Sequence, residues 1–219
     1  MNDNKQIKLV AFDMDGTMLD NEWAHARANE QIAWELGVEL PQNVRPCGYS
    51  VREYWQSICQ NEGIQADVEQ LAQQHFQKTM EVIKEAKVPE MPGLGRVLRS
   101  LKESGRQVAI TSSSDESFVR EVADYLGVTP YIDFFVTKDQ VTRLKPAPDI
   151  YLEALRLAGV KAEQALGVED SVPGCRALRE AGLHSVGFLN EGSNFQGDRL
   201  ESDYRIERMD ELYALVENL

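Results

Sequence analysis

The residues of this chain that could do chemistry stand in four short polar clusters, three of them directly after an apolar run. The first is Asp13-Met14-Asp15-Gly16-Thr17, two carboxylates that follow Ile7, Leu9, Val10, Ala11 and Phe12. The second is Thr111-Ser112-Ser113-Ser114, the third Lys145-Pro146-Ala147-Pro148-Asp149, and the fourth Glu169-Asp170-Ser171. Taken singly, each has an ordinary reading: Asp15-Gly16 as a turn, the serines as helix caps, Glu169-Asp170 as an exposed acidic pair. Together they assemble one kind of site. Asp13, Asp15 and Asp170 offer the oxygen ligands that a hard cation such as Mg²⁺ takes while keeping positions for water or a phosphate. Lys145 and Ser112, with the backbone N–H groups from Ser113 onward, supply donors for an anion.

Such a set answers an electrostatic problem. A carboxylate approaching a phosphate dianion to about 4 Å meets a repulsion of about 4 kcal/mol at an effective dielectric near 20. A metal bridging the two reverses the sign, and Lys145 adds a second positive charge. Asp13 is then the expected nucleophile, forming an aspartyl phosphate. Asp15 is the expected acid toward the leaving alcohol and afterwards the base for water.

The elements that must position these clusters can be read from periodicity. Residues 7–12 have the length and composition of an interior strand of a parallel sheet, and ligands gather at the carboxyl ends of such strands. From Gly93 onward strand and helix alternate, which implies an α/β fold with helices covering a parallel sheet. Strands are expected at 107–111, 132–136, 165–168 and 185–189, with a short edge strand at 204–206. Helices are expected at 94–102, 115–126, 149–157, 173–181 and 209–217. The segment 19–88 breaks the alternation: it carries helical patterns at 24–36 and 68–84 and no convincing strand. It is expected to be an all-helical cap inserted into a core made of residues 1–18 and 89–219.

Charge and composition narrow the partners. With 23 basic and 36 acidic residues the formal net charge is −13, which repels a polyanionic backbone and argues against nucleic acid. A small phosphorylated metabolite is compatible with that balance, because distant charge is screened over about 8–10 Å. The sequence has no long apolar stretch and no charged-then-apolar leader, so a cytoplasmic protein without a membrane partner is expected, and a monomer. Cys47, Cys59 and Cys175 are widely spaced, without a metal-binding pattern, and are expected to be reduced thiols. Cys175, beside Arg176 at a helix start, is the one of the three that could be reactive.

The four clusters, in order and spacing, resemble the motifs of the haloacid dehalogenase-like superfamily, and the likeness covers nearly the whole chain. The insert between the first and second motifs resembles the cap of the subgroup that includes β-phosphoglucomutase and sugar-phosphate phosphatases. The resemblance implies a Rossmann-like core with strand order 5-4-1-2-3, Mg²⁺ and a phosphoaspartate intermediate. It implies Asp13 as nucleophile and metal ligand, Asp15 for acid/base work with its carbonyl on the metal, and Asp170 as a metal ligand that Glu169 joins. Asp15 argues against carbon–halogen chemistry, since the family's dehalogenases lack that residue. No lysine occurs between Leu19 and Gln77 to form the Schiff base of the family's phosphonatases.

The expected activity is therefore Mg²⁺-dependent hydrolysis of a sugar or polyol phosphate. The alternative is a phosphosugar mutase; Asp115 and Glu116 replace the Lys-Asn of β-phosphoglucomutase, and their charge is expected to repel a second phosphate. A non-catalytic binding member of the fold is the third reading, and the retained Asp13, Asp15, Lys145 and Asp170 count against it. From the cap, His25 and Arg52 are candidates to face the substrate, with Arg45 behind them. Trp23, Trp34, Tyr54 and Trp55 are expected mainly to pack. Gly93-Leu94-Gly95 follows Pro92 rather than a strand and is assigned to a helix start.

Overall fold

The computed structural model describes residues 6–40, 50–190 and 200–219. The chain divides into two compact units, residues 1–20 with 89–219, and residues 21–88. Among the described residues no helix is long and apolar enough to cross a membrane.

The larger unit is built on β1 (Leu9–Phe12), β2 (Gln107–Thr111), β3 (Phe134–Val136), β4 (Ala165–Glu169), β5 (His184–Phe188) and β6 (Tyr204–Ile206). These six pair in one all-parallel sheet of order β3-β2-β1-β4-β5-β6. The first five strands keep the expected order, and Tyr204–Ile206 extends the sheet beyond β5. β1 is central: Leu9 pairs with Gln107 on one side and Ala165 on the other. Every residue of β1 is buried, as a strand covered on both faces requires.

The helices of this unit are α4 (Leu94–Glu103), α5 (Glu116–Tyr125), α6 (Asp149–Ala158), α7 (Val172–Ala181) and α8 (Asp210–Asn218). Leu9, Ala11, Ala109 and Ala165 point to the face where Ile150, Tyr151 and Ala154 of α6 and Ala177 and Leu178 of α7 complete the core. Val10, Phe12, Val108 and Ile110, equally buried, alternate to the opposite face. β3 starts two residues later than the spacing suggests. Thr129–Tyr131 forms a 3₁₀ turn led by Pro130, and Ile132 N–H closes it on Thr129 O at 3.1 Å instead of joining the sheet.

The smaller unit consists, among its described residues, of α1 (Glu22–Leu36), α2 (Val51–Glu62) and α3 (Val68–Ala86). Ile32 and Ala33 of α1, Trp55, Ile58 and Cys59 of α2 and Leu71 of α3 form its core. The starts of α2 and α3 are fixed by side chains. The Ser50 hydroxyl accepts Glu53 N–H at 3.2 Å while the Glu53 carboxylate takes Ser50 N–H at 2.8 Å. Asp67 caps α3 by accepting from Glu69 and Gln70.

Candidate active site

The carboxyl ends of β1, β2 and β4 carry three of the four polar clusters, and the loop leading into α6 carries the fourth. Asp13 leaves β1 with its N–H still bonded to Val168 O at 3.0 Å, so its backbone is registered on β4. The chain then turns within four residues: Thr17 and Met18 N–H return to Met14 O. Gly16 adopts a φ of +82°, and a Cβ there would collide with the Asp170 carboxylate. The residue is therefore glycine both for its conformation and for the close approach of Asp170, which follows β4. Thr17 Oγ1 donates to Asp170 Oδ1 at 3.4 Å, and Asn190 Nδ2 donates to Gly16 O at 3.2 Å.

At the end of β2, Thr111 Oγ1 donates to Phe12 O at 3.1 Å and clamps the two strand ends. Ser112 is buried, its N–H bonded to Val136 O at 3.0 Å and its hydroxyl accepting Ser114 N–H at 3.1 Å. Ser114 Oγ then donates to Asp15 Oδ2 at 3.2 Å. Ser113 is half-buried in the same turn.

Lys145 has a place for each of its three ammonium protons. Its Nζ lies 2.5 Å from Asp13 Oδ1, 3.1 Å from Thr111 O and 2.6 Å from Glu169 Oε1. Glu169 is fully buried and also accepts from the Tyr151 hydroxyl on Oε1 and from Ser171 Oγ on Oε2 at 3.1 Å. Ser171 doubles as the cap of α7 by accepting Gly174 N–H at 3.1 Å.

Asp13, Glu169 and Asp170 each bring a carboxylate oxygen into one group whose members lie within 4.8 Å of one another. The electrostatics of that group follow from its burial. Burial first, and then the Glu169 charge, raise the Asp13 carboxyl well above the usual range, with Lys145 pulling the other way. Burial and the Glu169 charge push Asp170 up to about 7. Burial alone would lower the Lys145 ammonium, but Asp13 and Glu169 outweigh it and hold Lys145 firmly protonated. With all three carboxylates ionised, the single ammonium would leave a surplus of two negative charges in an all-oxygen donor set, and the raised Asp13 and Asp170 reflect the cost of holding that surplus without a further cation. That surplus and that chemistry fit a hard divalent cation, and Asp13, Asp170, Glu169 and the neighbouring Asp15 are the residues that could hold one.

Asp13, Asp15, Ser112, Lys145, Glu169 and Asp170 thus meet in the larger unit. His25 and Arg52 belong to the helical unit. His25 is buried on α1; its Nδ1 shares a hydrogen bond with His75 Nε2 at 2.9 Å and its Nε2 lies 3.3 Å from Asn21 Nδ2. Arg52 is exposed on α2 and pairs with Glu69 at 3.2 Å. Arg45 and Cys47 lie outside the described residues. Cys59 and Cys175 are free and buried, and burial raises both thiols, so the proximity of Arg176 does not activate Cys175.

The acidic pair after β2 requires a correction. Asp115 Oδ1 is paired with Lys138 at 2.7 Å, and Glu116 with Arg120 at 2.6 Å while also accepting from Gln140 at 3.0 Å. Each thus has a cationic partner, while Asp139 adds a third carboxylate by accepting Glu116 N–H at 2.9 Å, so the electrostatic objection to a second phosphate is weakened and does not decide the matter. The residues that the motifs did not single out are Ser114, Thr17, Tyr151 and Asn190. Ser114 was legible as part of the serine run, whereas Tyr151 carries the apolar signal of a core helix position.

The chain is similar to known proteins over most of its length. A family model described as haloacid dehalogenase-like hydrolase matches residues 7–182. The phosphoglycolate phosphatase of Aquifex aeolicus is 27% identical over 97% of this chain and 98% of its own. A phosphorylated carbohydrates phosphatase of Thermotoga maritima is 28% identical over 85% of this chain and 88% of its own. The crystal structure of CbbY from Rhodobacter sphaeroides in complex with phosphate superposes with a TM-score of 0.81 at 23% identity, covering 98% of this chain and all of that one, a likeness of fold.

Proposed function

Because the chain belongs to the haloacid dehalogenase-like hydrolase family and is a phosphoric monoester hydrolase, we propose that it is a Mg²⁺-dependent phosphatase of sugar or polyol monophosphates. In this reading Asp13 is the nucleophile. The observation that carries it is the buried meeting of Asp13 with Lys145 and Asp170 at the end of β1.

In the first half-reaction an Asp13 oxygen attacks phosphorus, the ester P–O bond breaks, and the leaving oxygen takes a proton from Asp15. In the second, Asp15 removes a proton from water, the water oxygen attacks phosphorus, and the Asp13–phosphate bond breaks, restoring the Asp13 carboxylate and the protonated Asp15 that began the cycle. As Asp13 becomes an acyl phosphate its charge passes to the phosphoryl oxygens. Lys145 can turn the proton that held Oδ1 toward those oxygens while its other two stay on Thr111 O and Glu169. Ser112 and the N–H groups after it supply further donors. Asp13, Asp170, Glu169 and Asp15 would hold the cation, which, when bound, offsets the repulsion between carboxylates and phosphate. Ser114 orients Asp15 for both of its proton transfers.

The helical unit is proposed as the cap that reads the leaving group, with Arg52 and His25 as its candidates. Arg52 is the exposed one; His25 spends its ring nitrogens on His75 and Asn21. The same reading takes the enzyme to be a cytoplasmic monomer. The relatives' phosphatase names support hydrolysis. The pairing of Asp115 and Glu116 with Lys138 and Arg120 keeps a phosphosugar mutase as the second reading.

A panel of phosphorylated metabolites assayed for released phosphate tests this. Release from at least one sugar or polyol phosphate, lost with EDTA and restored by Mg²⁺, is expected. Full turnover in metal-free buffer would overturn the metal requirement. Interconversion of hexose phosphates faster than phosphate release, followed by phosphorus NMR, would establish the mutase.

A further inference from the structure

Tyr151 sits on α6 between Ile150 and Ala154, is fully buried, and belongs to the core cluster against β1 and β2. Its polar end is not spent on the core. The hydroxyl donates to Glu169 Oε1, the oxygen that also accepts Lys145 Nζ, and the ring lies beside that ammonium with 5.3 Å from Nζ to its centroid. The other Glu169 oxygen takes Ser171. On the remaining side Gly174 closes the space: a Cβ there would run into the Glu169 carboxylate.

Glu169 is therefore held from three directions, by α6, by the start of α7 and by Lys145. A carboxylate with no exposure persists only while its donors stay in place. Lys145 in turn divides its three protons among Asp13, Thr111 O and Glu169, so the position of Glu169 sets how the ammonium lies against Asp13.

We infer that Tyr151 is a positioning residue for the reaction, its hydroxyl anchoring Glu169 as the counter-anion that aims Lys145 at Asp13. This rests on the proposed phosphoryl transfer at Asp13 and adds to it a residue that touches neither substrate nor cation. It makes Tyr151 act on kcat at saturating metal, through the contact of Glu169 with Lys145, more than on metal affinity. A misplacement of about 1 Å in a reacting group can cost about 10²-fold in rate.

The test is Tyr151→Phe in the full chain, which keeps the ring beside Lys145 and removes only the hydroxyl. With p-nitrophenyl phosphate at saturating Mg²⁺, kcat should fall by about 10–100-fold, with KM changed far less. The dissociation constant for Mn²⁺ alone, measured by calorimetry on the metal-free protein, should rise by clearly less than kcat falls, since the substitution leaves every candidate ligand of the cation in the chain and removes only the anchor that aims Lys145 through Glu169. In a Glu169→Gln background the same substitution should cost nothing more, because the path through Glu169 is already cut. Unchanged kcat, a Mn²⁺ affinity that falls in step with kcat, full additivity with Glu169→Gln, or a Tyr151→Phe protein that does not fold would each overturn the inference. A wild-type protein that releases no phosphate would instead overturn the phosphatase reading, and this inference with it.

Discussion

Lys145 and Asp13, 132 residues apart in sequence, meet with Nζ 2.5 Å from Oδ1 in a setting where both are almost fully buried. The pair stands inside a surplus of acid, since Glu169 and Asp170 share the pocket. Its consequences can be measured one residue at a time.

Asp13→Asn should abolish turnover while leaving the fold intact. The amide is nearly isosteric but cannot attack phosphorus, and enzymes enhance monoester hydrolysis by up to ~10²¹, so no background route is visible on assay timescales. Steady-state assay beside circular dichroism checks both halves. An active variant would move the nucleophile elsewhere.

Lys145→Met should both inactivate and destabilise. Removing the ammonium leaves Asp13 and Glu169 without their buried cation, a loss of about 3–5 kcal/mol for a broken buried pair. The deficit should be larger at pH 8 than at pH 5.5, because protonation relieves the stranded carboxylates. Urea midpoints at the two pH values decide the matter.

Metal-free protein should lose stability as pH rises. Burial and the Glu169 charge raise Asp170 to about 7, above its unfolded value. Between the two values the folded state holds a proton that the unfolded state has lost, so this stabilisation is complete below the unfolded carboxylate pKa and disappears as pH passes about 7. Asp149, Glu153 and Asp210 are shifted downward by their arginine partners and titrate below this window. Thermal melts after chelation should show a lower midpoint at pH 8 than at pH 5.5, and Mg²⁺ should close the gap. A flat profile without metal would contradict the buried acid cluster.

Gly16→Ala should weaken cation binding. The positive φ costs an alanine roughly 1–2 kcal/mol, and its methyl displaces the Asp170 carboxylate. A loss of roughly 10–100-fold in Mn²⁺ affinity is expected from disturbing a ligand's support. Calorimetry with Mn²⁺ reads it directly.

Cys175 should resist alkylation in the native protein. It has no exposure, and burial followed by the Glu169 charge raises its thiol, so the thiolate is negligible. Mass spectrometry after N-ethylmaleimide at pH 7.5 should show Cys175 unlabelled until urea is added. Rapid native labelling would contradict its burial.

The strand ends were legible because an apolar run that stops at a carboxylate or hydroxyl leaves a clear boundary. β2 begins and ends where alternation places it, and β4 runs one residue further, through Glu169. That extension has a local cause: Glu169 pairs in register with Gly187 of β5 and so still belongs to the sheet. The ion pairs were not legible. Nothing in Asp115-Glu116 announces Lys138, which reaches Asp115 from the turn after β3. Tyr151 was hidden for a different reason. A tyrosine at a core position of a helix satisfies the apolar pattern, and the partner of its hydroxyl depends on tertiary placement.

The chain leaves the larger unit and returns to it at adjoining points. Leu19 forms an antiparallel bridge with Glu90, and Met91 N–H bonds Met18 O at 2.7 Å. Seen from the sheet, everything between those residues is a loop whose ends are already closed, and the entropy of closing such a loop grows only with the logarithm of its length. The sheet is thus nearly indifferent to what is carried between Leu19 and Glu90. One insert can be exchanged for another of different length and sequence while Asp13 keeps its register on β4, so the part of the chain proposed to choose the substrate is free to diversify where the part that breaks the bond is not.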